Sequence, residues 1–212
     1  MQLYSYFRSS ASYRVRIALA LKGLAYDYLP VHLVRNEQLK PPFSDLAVNK
    51  LVPALIDDGR VLTQSMAIIE YLDETHPQPP LLPGDAFSRA RIRSLAQDIA
   101  CEIHPIDNLR VLRYLVHDLK VSEDDKNRWY RHWVETGLEV VERRLAADPA
   151  TGAFCHGDSP TLADCVLVPQ IHNAQRMDCR LDHVPTVMRV FANCMQHDAF
   201  AKTQPSACPD AA

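Results

Sequence analysis

Arg8-Ser9-Ser10-Ala11-Ser12-Tyr13-Arg14-Val15-Arg16-Ile17-Ala18-Leu19-Ala20-Leu21-Lys22-Gly23 reads as the turn and first helix of a small α/β domain. Three serines stand where a helix start needs capping oxygens, and Gly23 supplies a C-terminal stop. Upstream, Leu3 to Tyr6 is a strand candidate. Strand, hydroxyl-rich turn and helix make an anion-receiving arrangement, because the unpaired N–H groups and positive dipole end of the helix stabilise a negative charge at the turn. Phosphate, carboxylate and thiolate all qualify. Capping accounts for only one of Ser9, Ser10 and Ser12; another hydroxyl is a candidate for hydrogen-bonding the anion itself and lowering its pKa.

Working outward, Leu24 to Leu33 alternates Tyr26, Tyr28 and Val31 as a second strand, and the βαβ order implies parallel pairing. Arg35 to Leu46 is polar and broken by Pro41-Pro42, which leaves room only for a short irregular helix or loop. Val52 to Ile56 and Val61-Leu62 flank Asp57-Asp58-Gly59-Arg60, a hairpin signal. Val52-Pro53 is either an edge-strand proline or a cis bond that presents the Val52 backbone to a peptide ligand. Gln64-Ser65 precedes the helical pattern Met66 to Leu72, with Ser65 the expected cap. That is a second strand-to-helix anion site.

His76 to Gly84 contains four prolines and cannot continue a helix or a central strand, so it reads as a linker. Beyond it strand signals almost vanish. Ala86 to Leu119 and Ser122 to Ala147 are long helical patterns, the first interrupted at Pro105. His104 and Asn108, at i and i+4, are expected on one helix face. Thr161-Leu162-Ala163-Asp164 matches a capping box ahead of a helix through about Gln175, and Pro185 to Gln196 forms one more. The tail after Pro205 is small and polar, which predicts disorder. The expected organisation is an α/β domain over 1–80, a linker over 81–87 and an all-α domain over 88–212.

A net charge of -3 over 212 residues gives no reason to approach nucleic acid or an anionic membrane. The N-terminus lacks a basic region followed by an apolar run, and no window approaches 18 apolar residues, so the expected location is cytoplasmic. The six cysteines all lie from Cys101 onward, with no C-x-x-C pair and no zinc-like spacing to histidine. Reduced thiols and no metal are the expectation.

The run Ser9 to Gly23, Val52-Pro53, Gln64 to Leu72, the proline linker, Ile103-His104-Pro105-Ile106-Asp107-Asn108-Leu109 and Pro160-Thr161-Leu162-Ala163-Asp164 cover essentially the whole chain in order. Together they resemble the zeta class of glutathione transferases, and within it the bacterial maleylacetoacetate isomerases. The resemblance implies a thioredoxin-like N-terminal domain that binds glutathione, a helical C-terminal domain that completes the substrate pocket, and a two-fold homodimer. It puts Ser9 beside the glutathione sulfur with Ser10 close by, pairs Val52 with the cysteinyl backbone, and gives the γ-glutamyl end to Gln64 and Ser65. Gln38, His104, Asn108, Leu109 and Arg110 complete the implied glutathione contacts. The implied substrates are dicarboxylates, and Arg8, Arg110 and Arg176 are the side chains suited to grip them with paired hydrogen bonds. Ser9, Ser10 and Arg176 carry the implied chemistry.

The activity implied is conversion of maleylacetoacetate to fumarylacetoacetate by reversible thiolate addition. Maleylpyruvate isomerisation, general glutathione transfer or haloacid dehalogenation on the same fold, and a non-catalytic protein of that fold are the alternatives. Ala11 stands where the family's turn usually has a cysteine, one that some maleylpyruvate isomerases of the same class also lack, and this leaves the exact substrate open.

Overall fold

The computed structural model describes residues 1–211. By its contacts the chain divides into two units, one comprising Met1–Leu81 together with the residues from Met195 on, the other Leu82–Cys194. The residues from Met195 on, assigned on sequence to the helical domain, are thus grouped with the N-terminal unit.

In the first unit, β1 (Gln2–Ser5), α1 (Ser10–Leu21), β2 (Asp27–Pro30), α2 (Phe43–Leu46), β3 (Ala54–Asp57), β4 (Arg60–Thr63) and α3 (Ser65–Thr75) follow the expected order. The sheet runs β2-β1-β3-β4, with β1 parallel to β2 and antiparallel to β3. The β3–β4 hairpin turns at Asp58 and Gly59, both at positive φ (47° and 72°), the geometry that makes an Asp-Gly pair the preferred two-residue turn. Leu3 and Ser5 point to one buried face of β1, where the Ser5 hydroxyl accepts from Arg16 Nη1 of α1 at 3.2 Å. Tyr4 points to the other and meets the Phe43 ring of α2 at 5.4 Å. The sheet therefore lies between α1 and α2. Leu3, Val15, Ile17, Leu19, Leu55, Ile68, Ile69 and Leu72 are fully buried.

Ser12 to Leu19 are buried without a break, so α1 is an interior helix. α3 packs against it, and so does α10 (Asp198–Ala201), where the Tyr13 hydroxyl donates to Phe200 O at 2.9 Å. The tail predicted to be disordered is ordered through residue 211 and includes a 3-10 turn at Pro205–Ala207. Its order comes from bonds to residues some two hundred positions away, such as Phe7 N to Asp210 at 3.1 Å, which local composition cannot reveal.

The second unit is built from α4 (Ala86–Gln97), a π-helical turn (Asp98–Ile103), α5 (His104–Asp107), α6 (Leu109–His117), α7 (Glu123–Ala147), α8 (Leu162–Arg176) and α9 (Pro185–Met195). Val134, Leu138, Val141 and Leu145 form the buried stripe of α7, and Leu162 to Ile171 of α8 are buried in sequence. The capping box is present: Asp164 Oδ2 accepts from Thr161 N at 2.8 Å and from Thr161 Oγ1 at 2.7 Å, and Oδ1 from Cys155 N at 2.8 Å. Gly137 lets α7 approach the π-helical turn, since a Cβ there would lie 2.4 Å from Ile103 Cγ1. Among the described residues no helix is long and apolar enough to cross a membrane, no cluster of side chains could hold a metal, and all six cysteines are free thiols.

Two local expectations are corrected. The break in the first long helical pattern falls at Asn108, not at Pro105, because proline is tolerated in the opening turn of α5 while Asn108 is extended (ψ 161°) and caps α6. His104 and Asn108 therefore do not share the face of one helix. At the second anion site Ser65 is the first helical residue and Gln64 the cap. Gln64 has φ 71° and ψ 113°, a conformation no side-chain pattern announces.

Candidate functional site

The first unit contributes two helix amino ends. At α1, Ser9 is the N-cap, its Oγ accepting from Ser12 N at 3.2 Å and its own N–H donating to Tyr6 O at 2.9 Å. With that lone pair engaged by the backbone, the Ser9 hydroxyl proton is free to donate to an anion. Ser10 and Ser12 are buried, and neither hydroxyl has a hydrogen-bond partner. One serine caps and two are left over, as the excess of hydroxyls over capping needs suggested. Arg8, immediately before, is exposed, with its guanidinium 5.1 Å from the Phe7 ring centroid.

At α3, Ser65 is buried and its hydroxyl accepts from Arg14 Nη1 at 3.3 Å. This bond has a polarity: a hydroxyl that accepts from a guanidinium turns its proton away from it, toward whatever the helix end faces. Exposed Gln64 pays about 1–3 kcal/mol for its backbone conformation, a kind of strain that clusters at ligand sites. Arg14 thus ties the α1 helix to the amino end of α3. It was missed on sequence, although two arginines in an otherwise apolar helix, Arg14 and Arg16, were a signal in plain view.

Val52 is buried with Tyr6, Val31, Phe43 and Ala54 in one apolar cluster, and the Val52-Pro53 bond is cis. Gln38 lies in the 3-10 turn Glu37–Leu39, nearly buried, with Oε1 unpartnered. Such a group is costly unless a donor reaches it.

The second unit gathers His104, Asn108, Leu109 and Arg110 at the α5–α6 break. Asn108 spends most of its side chain locally: Oδ1 accepts from Arg110 N at 3.1 Å and Val111 N at 3.2 Å, and Nδ2 donates to Pro105 O at 2.6 Å. His104 and Leu109 are half-buried and Arg110 is exposed. Trp129 Nε1 of α7 donates to Ile106 O at 3.1 Å and holds the break in place. Arg176 is exposed in the last turn of α8, a position where a cation also suits the helix dipole. Arg176 and Asp107 both act on buried Tyr130, whose phenol is pushed up chiefly by burial, lowered by Arg176 and raised by Asp107. Asp107 itself has neither carboxylate oxygen hydrogen-bonded, and burial lifts its pKa to about 8.

Comparison with known proteins gives a consistent result. Residues 1–74 match the glutathione S-transferase N-terminal domain and residues 128–195 the glutathione S-transferase C-terminal domain. Maleylacetoacetate isomerase of Pseudomonas aeruginosa is 45% identical over 99% of this chain and 98% of its own. A holo structure of maleylpyruvate isomerase, described as a bacterial glutathione S-transferase of the zeta class, superposes with a TM-score of 0.98 at 47% identity, covering 100% of both chains. The structure of maleylacetoacetate isomerase from Methylobacterium extorquens with bound malonate and glutathione superposes with a TM-score of 0.97 at 38% identity, again over 100% of both chains.

Proposed function

Because this chain belongs to the zeta class of glutathione transferases, we propose that its substrate is maleylacetoacetate, converted to fumarylacetoacetate, and that maleylpyruvate enters the same site. At the coarser level it is a glutathione-dependent cis-trans isomerase of maleylacetoacetate or maleylpyruvate. The observation that carries the reading is the pair of helix amino ends in the first unit. One is lined by Ser9 and Ser10, and the other is formed by Ser65 with Arg14 behind it. A thiolate at the first and a carboxylate at the second are what a γ-glutamyl thiol peptide requires.

The residues present fit glutathione. The Ser9 proton and the unpaired Ser10 hydroxyl suit a sulfur anion, the Ser65 proton suits the γ-glutamyl carboxylate, and Gln38 Oε1 lacks a donor of the kind a peptide ammonium or amide offers. Val52, Gln64, His104, Asn108, Leu109 and Arg110 are the further proposed contacts. When bound, glutathione supplies the thiolate nucleophile whose reversible addition removes double-bond character and permits rotation. Ser9, Ser10 and the α1 amino end favour the thiolate over the thiol and so raise the reactive fraction near neutrality. Arg8, Arg110 and Arg176 are the proposed grips on the substrate carboxylates and on the negative charge that develops next to the carbonyl.

Maleylpyruvate is favoured as a second reading by the 47% identity of the maleylpyruvate isomerase and by Ala11 in the turn. The two substrates differ by one methylene, worth about 1–3 kcal/mol of discrimination, so one site is expected to turn over both. An absorbance assay of both, with and without glutathione, tests the proposal. Isomerisation that requires glutathione, with the higher kcat/KM on maleylacetoacetate, is expected. A higher kcat/KM on maleylpyruvate selects the second reading, and a rate indifferent to glutathione refutes both. Preferential turnover of an α-halo acid would make the chain a dehalogenase. We further propose a homodimer, to be checked by sedimentation, and a cytoplasmic location, where the free thiols stay reduced.

A further inference from the structure

The turn that carries Arg8 and Ser9 is fastened by residues from the far end of the chain. Asp210 accepts from the Phe7 N–H through Oδ2 at 3.1 Å and from the Tyr28 hydroxyl through Oδ1 at 2.6 Å. The other side of the same residue is also fixed, because Arg16 Nη2 donates to Phe7 O at 3.2 Å and Nη1 to Tyr6 O at 3.4 Å. Arg16 in turn donates through Nε to Thr203 O at 3.1 Å, and Tyr13 of α1 donates to Phe200 O at 2.9 Å. Phe200 is fully buried, and Ala199, Pro205 and Cys208 are nearly so, which anchors the segment apart from its polar bonds.

A strand-to-helix turn has no ladder of its own, and its backbone groups are the ones that open first in local fluctuations. Here both the N–H and the C=O of Phe7 are occupied, and Tyr6 O receives the Ser9 N–H at 2.9 Å as well as Arg16. Rotating the peptides that precede Ser9 breaks these bonds together. We propose that the C-terminal segment, through Asp210, is a positioning element for the thiolate turn, holding the Phe7 amide so that the Ser9 hydroxyl stays where it meets the sulfur anion. Asp210 acts on the turn and not on the substrate, so it is a positioning residue. The proposal rests on the reading of Ser9 as the sulfur-binding residue.

The test compares Asp210→Ala, a chain ending at Ala207, Ser9→Ala and, as a control, Lys202→Ala, whose exposed pair with Asp198 lies in the same segment. Two readouts besides turnover are used: amide hydrogen exchange of Phe7 in the ligand-free protein, and the thiolate absorbance of bound glutathione against pH. In Asp210→Ala and the shortened chain, Phe7 exchange should accelerate about tenfold or more, and the glutathione thiol pKa should rise by about one unit, roughly a tenfold loss of thiolate at fixed pH. Loss of mere structural support would lower the melting temperature without moving the thiol. Should Asp210→Ala fail to fold, Tyr28→Phe, which removes one of the two bonds to Asp210, carries the same test with a smaller shift expected. Ser9→Ala should raise the thiol pKa with Phe7 exchange unchanged.

An unshifted thiol in Asp210→Ala beside a shifted one in Ser9→Ala overturns the proposal and leaves the Ser9 reading standing. An unshifted thiol in both overturns the Ser9 reading and the proposal with it. A fall of the thiol pKa in Asp210→Ala also overturns it, since the carboxylate would then have acted by repelling the thiolate.

Discussion

Replacing Asp107 with asparagine should stabilise the protein in alkaline solution and do almost nothing once the pH is below the ordinary carboxylate value of 3.8. Asp107 is 7% exposed, neither of its oxygens has a partner, and burial lifts its pKa from the usual 3.8 to about 8. Between those values the folded chain keeps a proton that the unfolded chain has released, so stability falls as pH rises through the window and levels off above the folded value. At about 1.36 kcal/mol per pH unit the whole span amounts to roughly 5–6 kcal/mol, an upper bound. Movement of the four-residue α5 toward water should cut this to about 2–3 kcal/mol.

Asparagine preserves the shape and removes the charge. Near pH 9 its urea midpoint should therefore exceed the wild-type one by about 1 M, the gap should narrow as pH falls through the window, and only at about pH 3.5, below the unfolded value, should the two coincide. The titratable groups that feel Asp107 do not blur the result: burial raises both Tyr130 and Cys179, the latter to about 12, and keeps them neutral. A stability difference independent of pH refutes the reasoning. So does a carboxyl carbon-13 titration of residue 107 with its midpoint near the ordinary carboxylate value.

Arg14→Met should weaken glutathione binding about fivefold to tenfold by calorimetry, the loss of one hydrogen bond of roughly 1–1.5 kcal/mol that orients Ser65. Cysteinylglycine, which lacks the γ-glutamyl carboxylate, should bind the two proteins alike; equal losses for both ligands would remove the orienting role. Arg176→Ala should lower kcat/KM for the maleyl substrates by about ten- to a hundredfold with glutathione affinity unchanged, as expected for one charge-assisted contact. An unaltered kcat/KM takes Arg176 out of the site. Asp164→Ala strands the Thr161 and Cys155 amides in a fully buried place and should cost about 3 kcal/mol, read as a urea midpoint shift at constant m.

What was legible in the sequence was what local chemistry determines. The capped start of α1, the Asp-Gly hairpin, the Thr161–Asp164 box and the switch from strands to helices after the prolines each follow from residues within a few positions of one another. Where the reading slipped, the deciding interaction was either unexpected in its residue or remote in the chain. Asparagine at 108 out-competed proline at 105 as the helix breaker because its side chain pays for the open amides of Arg110 and Val111. Gln64 adopts a positive φ without being glycine or asparagine, so no turn signal marked it. The ordered tail and the interior places of Arg14 and Arg16 depend on partners in other elements. The candidate site residues were reached through the resemblance; the sequence pattern alone could say only that two helix starts should receive anions.

The two arginines of α1 and the lysine that caps its end, Lys22, show how a small sheet domain can hold the proposed site. Arg14 reaches Ser65, and Arg16 reaches Tyr6, Phe7 and Thr203. Lys22 donates to Asp73 Oδ1 at 2.8 Å, His76 O at 2.7 Å and Pro79 O at 2.9 Å. Each is buried, and each ties the helix to a different element: the amino end of α3, the loop before Ser9 together with the C-terminal segment, and the proline-rich linker. Apolar packing alone would bury α1 well but would fix its rotation and axial shift only loosely, because the hydrophobic effect has no direction. Stabilising a sulfur anion needs the hydroxyl and the helix end placed to within about half an ångström. Directional bonds from buried cations supply that constraint, and they explain why a helix with so apolar a setting keeps two arginines in its interior and a lysine at its end.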